Sequence, residues 1–154
     1  MVLIAVGKLR AGPELEMFER YRVRLRPGLA VREVPDGVGS AAETRRREGA
    51  ALVAAVPAGA WVVALDLGGE APDSEGLAAS LERWRATSRA LTFVIGGAEG
   101  FDPAALGRAD AQLSLGRLTW PHMLVRVMLA EQLWRAQSIL AGHPYHRGNR
   151  PETG

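Results

Sequence analysis

The densest group of chemically capable side chains lies near the end of the 154-residue sequence, in His143-Pro144-Tyr145-His146-Arg147. Imidazole groups exchange protons near neutral pH. Phenol and guanidinium groups donate hydrogen bonds and lie flat against planar rings. This segment therefore offers donors, acceptors and stacking surfaces within five residues, which favours proton transfer or binding of a planar ligand.

A second informative segment combines a buried strand with a glycine-rich loop. The apolar run Leu91–Ile95 stops at Gly96-Gly97, and Gly100 follows. Glycines at this point predict a loop that turns tightly or lies against a ligand. A further strand about twenty residues on runs into another irregular loop, residues 116–122, at a spacing typical of βα units. Loops at the ends of neighbouring strands are where open α/β sheets bind ligands.

These loops must be positioned by alternating strands and helices. The apolar runs predict strands at Met1–Val6, Leu29–Val34, Ala60–Leu65, Leu91–Ile95 and Gln112–Leu115. The amphipathic and capped segments between them predict helices at Pro13–Leu25, Ser40–Val56, Glu75–Thr87, Asp102–Ala109 and Pro121–Leu140, with a loop at Asp66–Ser74. Continuous apolar strands separated by helices predict an α/β fold with a mostly parallel sheet covered on both faces.

Local signals fix several helix starts. Ser40 with Glu43 forms a capping box, and Asp102 precedes a proline at the first helical position. No repeat, linker or low-complexity segment interrupts the pattern. We therefore predict one domain over residues 1–154, with residues 141–154 as a C-terminal tail.

The last predicted helix is apolar all round, since Leu124, Val125, Leu133 and Trp134 fall on different faces. Such a helix is buried on several sides. This pattern predicts a homodimer with the helix at its interface, unless the tail folds back over it. Glu131 and Arg135, four residues apart, are typical of an ordinary helix ion pair.

Composition excludes several classes of protein. The chain has no cysteine, which rules out disulfides and thiolate nucleophiles and fits a cytoplasmic location. No apolar run reaches membrane-spanning length. Basic residues exceed acidic ones by only 19 to 17, but all except Lys8 are arginine. Arginine suits phosphate contacts, although a GC-rich genome produces the same bias.

Four segments, in this order and spacing, resemble the ribosomal RNA large subunit methyltransferase H family of the SPOUT superfamily of α/β-knot methyltransferases. They are Phe-Val-Ile-Gly-Gly-Ala-Glu-Gly-Phe (93–101), Leu-Ser-Leu-Gly-Arg-Leu-Thr-Trp-Pro-His (113–122), Arg-Val-Met-Leu-Ala-Glu-Gln-Leu-Trp-Arg-Ala (126–136) and His-Pro-Tyr-His-Arg (143–147). The resemblance covers the whole chain, although residues 148–154 extend past the point where family members typically end.

The resemblance implies an activity and a set of partners. Family members transfer methyl from S-adenosylmethionine to N3 of a pseudouridine in helix 69 of 23S rRNA, and they act as homodimers on the assembled 70S ribosome. No metal is expected. The resemblance also implies a deep trefoil knot in the C-terminal part, in which the chain threads through a loop to build the cofactor site.

Carried over to this sequence, the resemblance implies cofactor-binding residues in three places. They are Leu65 at the end of a strand, Gly97 in the glycine loop, and the run Leu115, Gly116, Arg117, Leu118, Thr119, Trp120 and Pro121. Gly116, Arg117 and Trp120 stand where relatives often carry other residues. This is tolerable, since backbone groups hold most of the adenine in such knots.

The tail supplies the catalytic candidates. His146 is the candidate to accept the N3 proton or orient the base. Tyr145 is the candidate to stack on the extruded nucleotide, and Arg147 to contact phosphate. A surface histidine, a helix-capping hydrophobe and a solvated charge are the plain alternatives for these three residues.

Three residues of the last helix are candidates for contact with RNA or a partner subunit. His122 follows Pro121, where capping or a hydrogen bond to the knot loop is the simpler role. Arg126 shares its face and is placed to reach RNA phosphate or the partner. Glu131 is the third candidate.

Other functions remain open at this point. A SPOUT methyltransferase acting on tRNA keeps the cofactor and changes the substrate. A non-catalytic ribosome-binding or assembly factor keeps only the fold. A dinucleotide-binding loop is disfavoured because the glycines at 96, 97 and 100 do not follow the Gly-x-Gly-x-x-Gly spacing.

Overall fold

The computed structural model describes residues 1–146. A five-stranded sheet in the order β2-β1-β4-β3-β5, with every pair parallel, forms its centre. The strands are β1 (Val2–Val6), β2 (Ala30–Val34), β3 (Trp61–Glu70), β4 (Leu91–Ile95) and β5 (Ala111–Leu113). The helices are α1 (Pro13–Arg22), α2 (Ala41–Ala55), α3 (Ser74–Ala86), α4 (Pro103–Gly107) and α5 (His122–Leu140). The predicted mostly parallel α/β architecture is confirmed.

Two apolar cores lie on opposite faces of the sheet. Alternate residues of β1 divide between them: Leu3 and Ala5 face the larger core, and Ile4 and Val6 face the smaller one. Helices α1, α3 and α5 cover the first face, whereas α2 and α4 cover the second. Because β1 and β4 lie inside the sheet and are covered on both faces, their sequences are almost uniformly apolar.

The local start signals behave as predicted. The Ser40 hydroxyl accepts a hydrogen bond from the Glu43 amide, and the Glu43 carboxylate accepts one from the Ser40 amide, which confirms the capping box. The Asp102 carboxylate accepts from the Ala105 amide at 2.9 Å, which confirms the predicted start of α4. Strand β4 has the predicted bounds.

One element differs substantially from its prediction. The strand predicted to end at Leu65 continues to Glu70, so the predicted loop at Asp66–Ser74 is half strand. Leu113 of β5 pairs first with Leu65 and again with Glu70, which leaves residues 66–69 as an irregularity in the ladder. Polar and glycine residues in this stretch predict a loop, but pairing with β5 overrides their low strand propensity.

Helix α5 packs against α1 and α3 across one face of the sheet. Its inner face includes the fully buried Leu129 and Leu133. Its outer face keeps Leu124 exposed and Met128 and Glu131 half-buried within one chain. The prediction that α5 is buried on all sides therefore needs a covering partner on this outer face.

Candidate functional site

A cleft with a cavity volume of about 220 Å³ opens at the carboxyl ends of β3, β4 and β5. Three loops meet there because parallel neighbouring strands end at the same edge of the sheet. The lining residues are Leu65, Asp66, Leu67, Ile95, Gly96, Gly97, Ala98, Gly100, Phe101, Leu113, Ser114, Leu115, Gly116, Thr119, Trp120, His122 and Val125.

The glycine loop after β4 folds back on itself. Gly97 and Gly100 form an isolated antiparallel bridge, with the Gly100 amide donating to the Gly97 carbonyl at 3.1 Å. Gly100 has φ of 75°, a left-handed conformation that side chains disfavour. A Cβ on Gly96 would lie 3.3 Å from the Gly100 backbone. This tight turn leaves bare backbone along one wall of the cleft.

The loop after β5 forms the opposite wall and turns on a serine and a glycine. The Ser114 hydroxyl donates to the Gly116 carbonyl at 2.8 Å and accepts from the Gly116 amide at 3.2 Å. Gly116 has φ of 107°, which again favours glycine. This turn brings Thr119 and Trp120 back to the cleft.

Most of the predicted cofactor residues lie together in this cleft. Leu65, Gly97, Leu115, Gly116, Thr119 and Trp120 line it. Arg117, Leu118 and Pro121 belong to the same loop but do not line it, and Leu118 is 69% exposed. The structure thus gathers the three predicted places and turns part of the loop outward.

The cleft also contains polar residues that the sequence pattern does not place there. Asp66 contributes a carboxylate whose Oδ2 accepts from the Gly68 amide at 2.8 Å. An acidic residue directly after a buried apolar strand is the available signal, although the polar and glycine residues that follow it predict an ordinary loop. Ser114 at the end of β5 is buried and has no comparable signal.

His122, for which a structural role at the knot loop is the simpler prediction and contact with RNA or a partner the alternative, lines the cleft. Its Nε2 atom is buried and has no hydrogen-bond partner within residues 1–146. A buried ring nitrogen without a partner is costly. His122 therefore presents an unused donor or acceptor at the base of the cleft.

Arg126 requires a correction, because it contacts neither solvent nor any surface. Its side chain is 0% exposed. Nη2 donates to the carbonyls of Val6 (2.7 Å) and Gly7 (2.5 Å), and Nη1 pairs with Glu33 at 2.7 Å. The predicted contact with RNA phosphate or a partner is therefore wrong for this arrangement. The arginine instead connects the start of α5 to the ends of β1 and β2.

Glu48 lies behind the glycine loop and is 4% exposed. Its Oε1 accepts from the Gly37 amide at 2.9 Å, and its Oε2 is buried without a partner among residues 1–146. A Cβ on Gly97 would lie 2.5 Å from that Oε2. This carboxylate therefore fixes the space available to the loop that walls the cleft.

The C-terminal candidates form a separate cluster on α5. The Tyr145 hydroxyl donates to Glu131 at 3.1 Å, and the Arg135 guanidinium both pairs with Glu131 and lies 5.1 Å from the Tyr145 ring centre. His146 Nδ1 lies 3.5 Å from Nη1 of Arg135. Glu131 thus forms the predicted helix ion pair and also holds the tail. Arg147 lies outside the described residues.

Electrostatics within this cluster fix the protonation of the phenol. Burial, followed by the neighbouring Tyr21 and Glu131, raises the pKa of Tyr145 to about 12. The hydrogen bond to Glu131 raises the pKa of Arg135. Tyr145 is therefore a neutral donor at physiological pH and does not serve as a base there.

The cluster and the cleft lie apart within one chain. The cleft contains His122 and Val125, whereas the tail packs on Glu131 and Arg135. The cleft residues His122 and Val125 precede Glu131 and Arg135 by six to thirteen positions, or roughly 9–20 Å along the helix axis. A single chain therefore does not bring His146 or Tyr145 to the cleft.

Comparison with known proteins identifies the family. Residues 1–146 match a family described as "Predicted SPOUT methyltransferase". The protein named ribosomal RNA large subunit methyltransferase H from Acidiphilium cryptum is 57% identical over 149 residues, covering 97% of this chain and 94% of the relative. Its namesake from Gluconacetobacter diazotrophicus is 55% identical, covering 98% and 99%. This chain belongs to the ribosomal RNA large subunit methyltransferase H family of SPOUT methyltransferases. It is a methyltransferase enzyme.

Solved structures of two proteins with much lower sequence identity share the fold. A probable methylase family protein from Haemophilus influenzae superposes with a TM-score of 0.54 at 13% identity, covering 99% of this chain and 72% of the other. TrmJ from Z. mobilis gives a TM-score of 0.52 at 17% identity, covering 89% and 70%. At these identities the likeness extends to the fold alone.

Among residues 1–146, no helix combines the length and apolar character needed to cross a bilayer. Over the same part of the chain, no three His, Asp or Glu side chains gather as a metal ion would require.

Proposed function

We propose that this enzyme transfers a methyl group from S-adenosylmethionine to ribosomal RNA, at N3 of a pseudouridine in helix 69 of 23S rRNA within the assembled 70S ribosome. The cleft at the ends of three parallel strands carries the proposal, because it gathers six of the nine residues expected to bind the cofactor. The names of relatives at 55–57% identity support rRNA as the substrate.

The residues of the cleft fit S-adenosylmethionine. The tight turn at Gly96 and Gly97 leaves bare backbone along one wall, where amide and carbonyl groups can meet the cofactor. Leu65, Ile95 and Leu115 supply apolar walls for a purine ring. The unpartnered Nε2 of His122 and the Asp66 carboxylate offer hydrogen bonds to its polar groups. When bound, this cofactor supplies a methyl group already activated on sulfur.

The chain must then orient the base and deal with the N3 proton. His146 is the proposed acceptor, since an imidazole nitrogen can act as a general base. The neutral Tyr145 is the proposed stacking and donating group, and Arg147 the proposed phosphate contact. Glu131 and Arg135 hold the tail and so position these residues. The apolar side chains at the mouth of the cleft, Leu67 and Trp120, are proposed to exclude water.

A trefoil knot is part of the proposal. Strand β5 lies at one end of the sheet beside β3, yet α5 returns to pack against α1 and α3 over the sheet's middle. The connecting loop, residues 114–121, therefore crosses the carboxyl ends of the strands at the glycine loop. This return path supports threading of the C-terminal part, as the family resemblance implies.

A homodimer completes the proposed site. The cleft and the tail cluster are separated along α5, so one chain holds two incomplete halves. Exposed apolar side chains surround the cleft mouth and the outer face of α5: Leu67 (55% exposed), Trp120 (41%) and Leu124 (38%). Such residues are typical of a partner contact. We place the tail of one subunit over the cleft of the other.

The deciding experiment is transfer of labelled methyl from S-adenosylmethionine to ribosomes from a strain lacking the modification. Free 23S rRNA and tRNA run in parallel. We expect label only in assembled ribosomes, mapped to a pseudouridine of helix 69. Label in tRNA would overturn the substrate assignment, and cofactor binding without any label would overturn the RNA target.

The same assay, applied to the variant His146→Ala, tests whether His146 accepts the proton. We expect His146→Ala to reduce methyl transfer by about 100-fold or more while its affinity for S-adenosylmethionine stays within a factor of about two to three of wild type. Equal reductions in binding and transfer would contradict a role in proton removal.

A further inference from the structure

A second cavity lies at the opposite end of α5 from the cleft. It is formed where α1 and α3 end beside the C-terminal half of α5. Its volume is about 360 Å³. Three arginines, Arg24, Arg26 and Arg85, lie around the indole of Trp134 together with Gln137 and His143. Within residues 1–146, no acidic side chain lines it. These residues line no part of the cleft, and they touch the tail cluster around Glu131 only where Trp134 and His143 contact Tyr145.

Two N–H donors at this cavity have no acceptor within residues 1–146. The Gln137 side-chain oxygen accepts from the Arg26 amide at 3.0 Å, which leaves its Nε2 facing the other way. That Nε2 is buried and has no partner within residues 1–146. The Nε1 atom of Trp134 is also buried without a partner among these residues. Two orphaned donors in one cavity call for an acceptor from outside the chain.

The cations around these donors are similarly uncompensated. The Arg24 guanidinium lies 6.0 Å from the Trp134 ring centre, and its nitrogens have no hydrogen-bond or ion-pair partner in the described part of the chain. The same is true of Arg85, which raises the local positive potential enough to help lower the pKa of the Met1 ammonium, after burial. Arg26 uses one nitrogen to donate to the carbonyls of Val23 and Leu25.

We propose that this cavity, the Trp134 groove, binds phosphodiester groups of an RNA strand that flanks the methylated nucleotide. This inference rests on the proposed ribosomal substrate. Fixed N–H donors, forked guanidinium groups and an indole edge match the oxygens of a phosphodiester. Exposed arginines beside an aromatic ring are also typical of surfaces that bind single-stranded nucleic acid.

The position of the groove fits a strand that passes the active site. Trp134 contacts Tyr145, with ring centres 5.9 Å apart, and contacts His143 at 6.0 Å. The groove therefore adjoins the tail that holds the proposed base-handling residues. A strand anchored here places its next nucleotides beside that tail.

The test compares two double variants that remove the same amount of charge. Arg24→Gln/Arg85→Gln removes the two unpaired cations of the groove. Arg45→Gln/Arg46→Gln removes two exposed cations from α2, on the opposite face of the sheet. Binding to ribosomes lacking the modification is measured over a range of salt concentrations. Affinity for S-adenosylmethionine, thermal unfolding and oligomeric state are measured alongside.

We expect the groove variant to bind ribosomes at least about tenfold more weakly. Its plot of log affinity against log salt should flatten by about 0.7 for each phosphate that the groove no longer neutralises. Its cofactor affinity should not change. The control should keep a larger part of the wild-type slope. Inorganic phosphate at matched ionic strength should displace the wild type no better than chloride does.

Several results would overturn the inference. If the two double variants gave equal slopes of log affinity against log salt concentration, Arg24 and Arg85 would contribute only general surface charge. If the groove variant bound ribosomes normally but was less stable, the two arginines would act as helix-end charges. If it bound ribosomes normally but had an altered oligomeric state, they would act in contacts between subunits. Specific displacement by inorganic phosphate would replace the strand with a small anion. If the wild-type enzyme still methylates ribosomes, any of these results would contradict only the inference about the groove. If the wild-type enzyme neither binds nor methylates ribosomes, the proposed function would be contradicted as well.

Discussion

Arg126 shows how a single residue organises the site from outside it. Its guanidinium reaches two backbone carbonyls at the end of β1 and the Glu33 carboxylate of β2. These contacts fix the first turns of α5, which carry His122 and Val125 into the cleft. A fully buried arginine is stable here because most of its hydrogen-bonding capacity is used.

Replacing Arg126 by methionine should lower the free energy of unfolding by about 3 kcal/mol, because two buried carbonyls and one carboxylate lose their donor. Urea unfolding measures this change, with the exposed Arg45→Gln as a control that should stay within about 0.5 kcal/mol of wild type. If Arg126→Met also changed the free energy of unfolding by no more than about 0.5 kcal/mol, water or a local shift must replace the contacts of the guanidinium.

Tyr145 gives a prediction in the alkaline range. Its folded pKa of about 12 lies above the ordinary value of 10.0, so the folded state holds the proton more tightly. The resulting stabilisation is complete below pH 10 and disappears as pH rises through 12. The chain has two tyrosines, which makes phenolate absorbance readable. Tyr145→Phe should remove the transition near pH 12, and its persistence in the variant would contradict the assignment to Tyr145.

At the scale of elements, the glycine loop depends on a side chain from another layer. Glu48 projects from α2, with one oxygen held by the Gly37 amide and the other close to Gly97. The loop after β2 and the loop after β4 therefore both pack against the Glu48 carboxylate. The wall of the cleft is positioned by this contact as well as by its own turn.

Gly97→Ala should weaken binding of S-adenosylmethionine by about tenfold or more, because the new methyl displaces the loop from Glu48. Isothermal titration measures it. Adding Glu48→Ala should recover part of the affinity, which a double-mutant cycle would report as coupling. Gly107→Ala in α4 is the matched control, since a Cβ there meets nothing within 4 Å in the described part of the chain. Additive effects of the two substitutions would contradict the contact.

The elements themselves are largely predictable because their signals are local. Ser40 with Glu43, Asp102 before Pro103, and the uninterrupted run of β4 each act within a few residues. The extension of β3 has no local signal, because its pairing partner, Leu113, lies far along the chain. The surface role predicted for Arg126 is wrong for the same reason: a four-residue spacing identifies a helix face but not what that face meets.

The candidate site divides in the same way. The glycine loop and the loop after β5 are recognisable from sequence as strand-end loops, and the structure gathers them. The positions of Glu48 and Asp66 depend on layers and register that periodicity does not encode. The family resemblance supplies the tail residues, whereas their contact with Glu131 emerges only from the three-dimensional arrangement.

At the scale of the whole molecule, the separation of cleft and tail predicts complementation between subunits. Gly97→Leu should disable the cleft, because the new side chain meets Glu48 and displaces the glycine loop. Tyr145→Ala should disable the tail. Each variant alone should be nearly inactive. Refolding the two together should give about a quarter of wild-type methyl transfer, since half of randomly formed dimers are mixed and each carries one intact site. Activity no higher than that of the separate variants would show that each subunit completes its own site.

The long-range nature of the fold has a consequence during synthesis. Strand β1 pairs with β4, which begins at Leu91, and its end is held by an arginine 120 residues further along the chain. At ordinary translation rates, roughly ten seconds pass between the appearance of the two partners. During that interval the strand Val2–Val6 has no completed layer to cover it. Newly made chains therefore expose this apolar segment to pairing with the wrong neighbour until the later elements emerge.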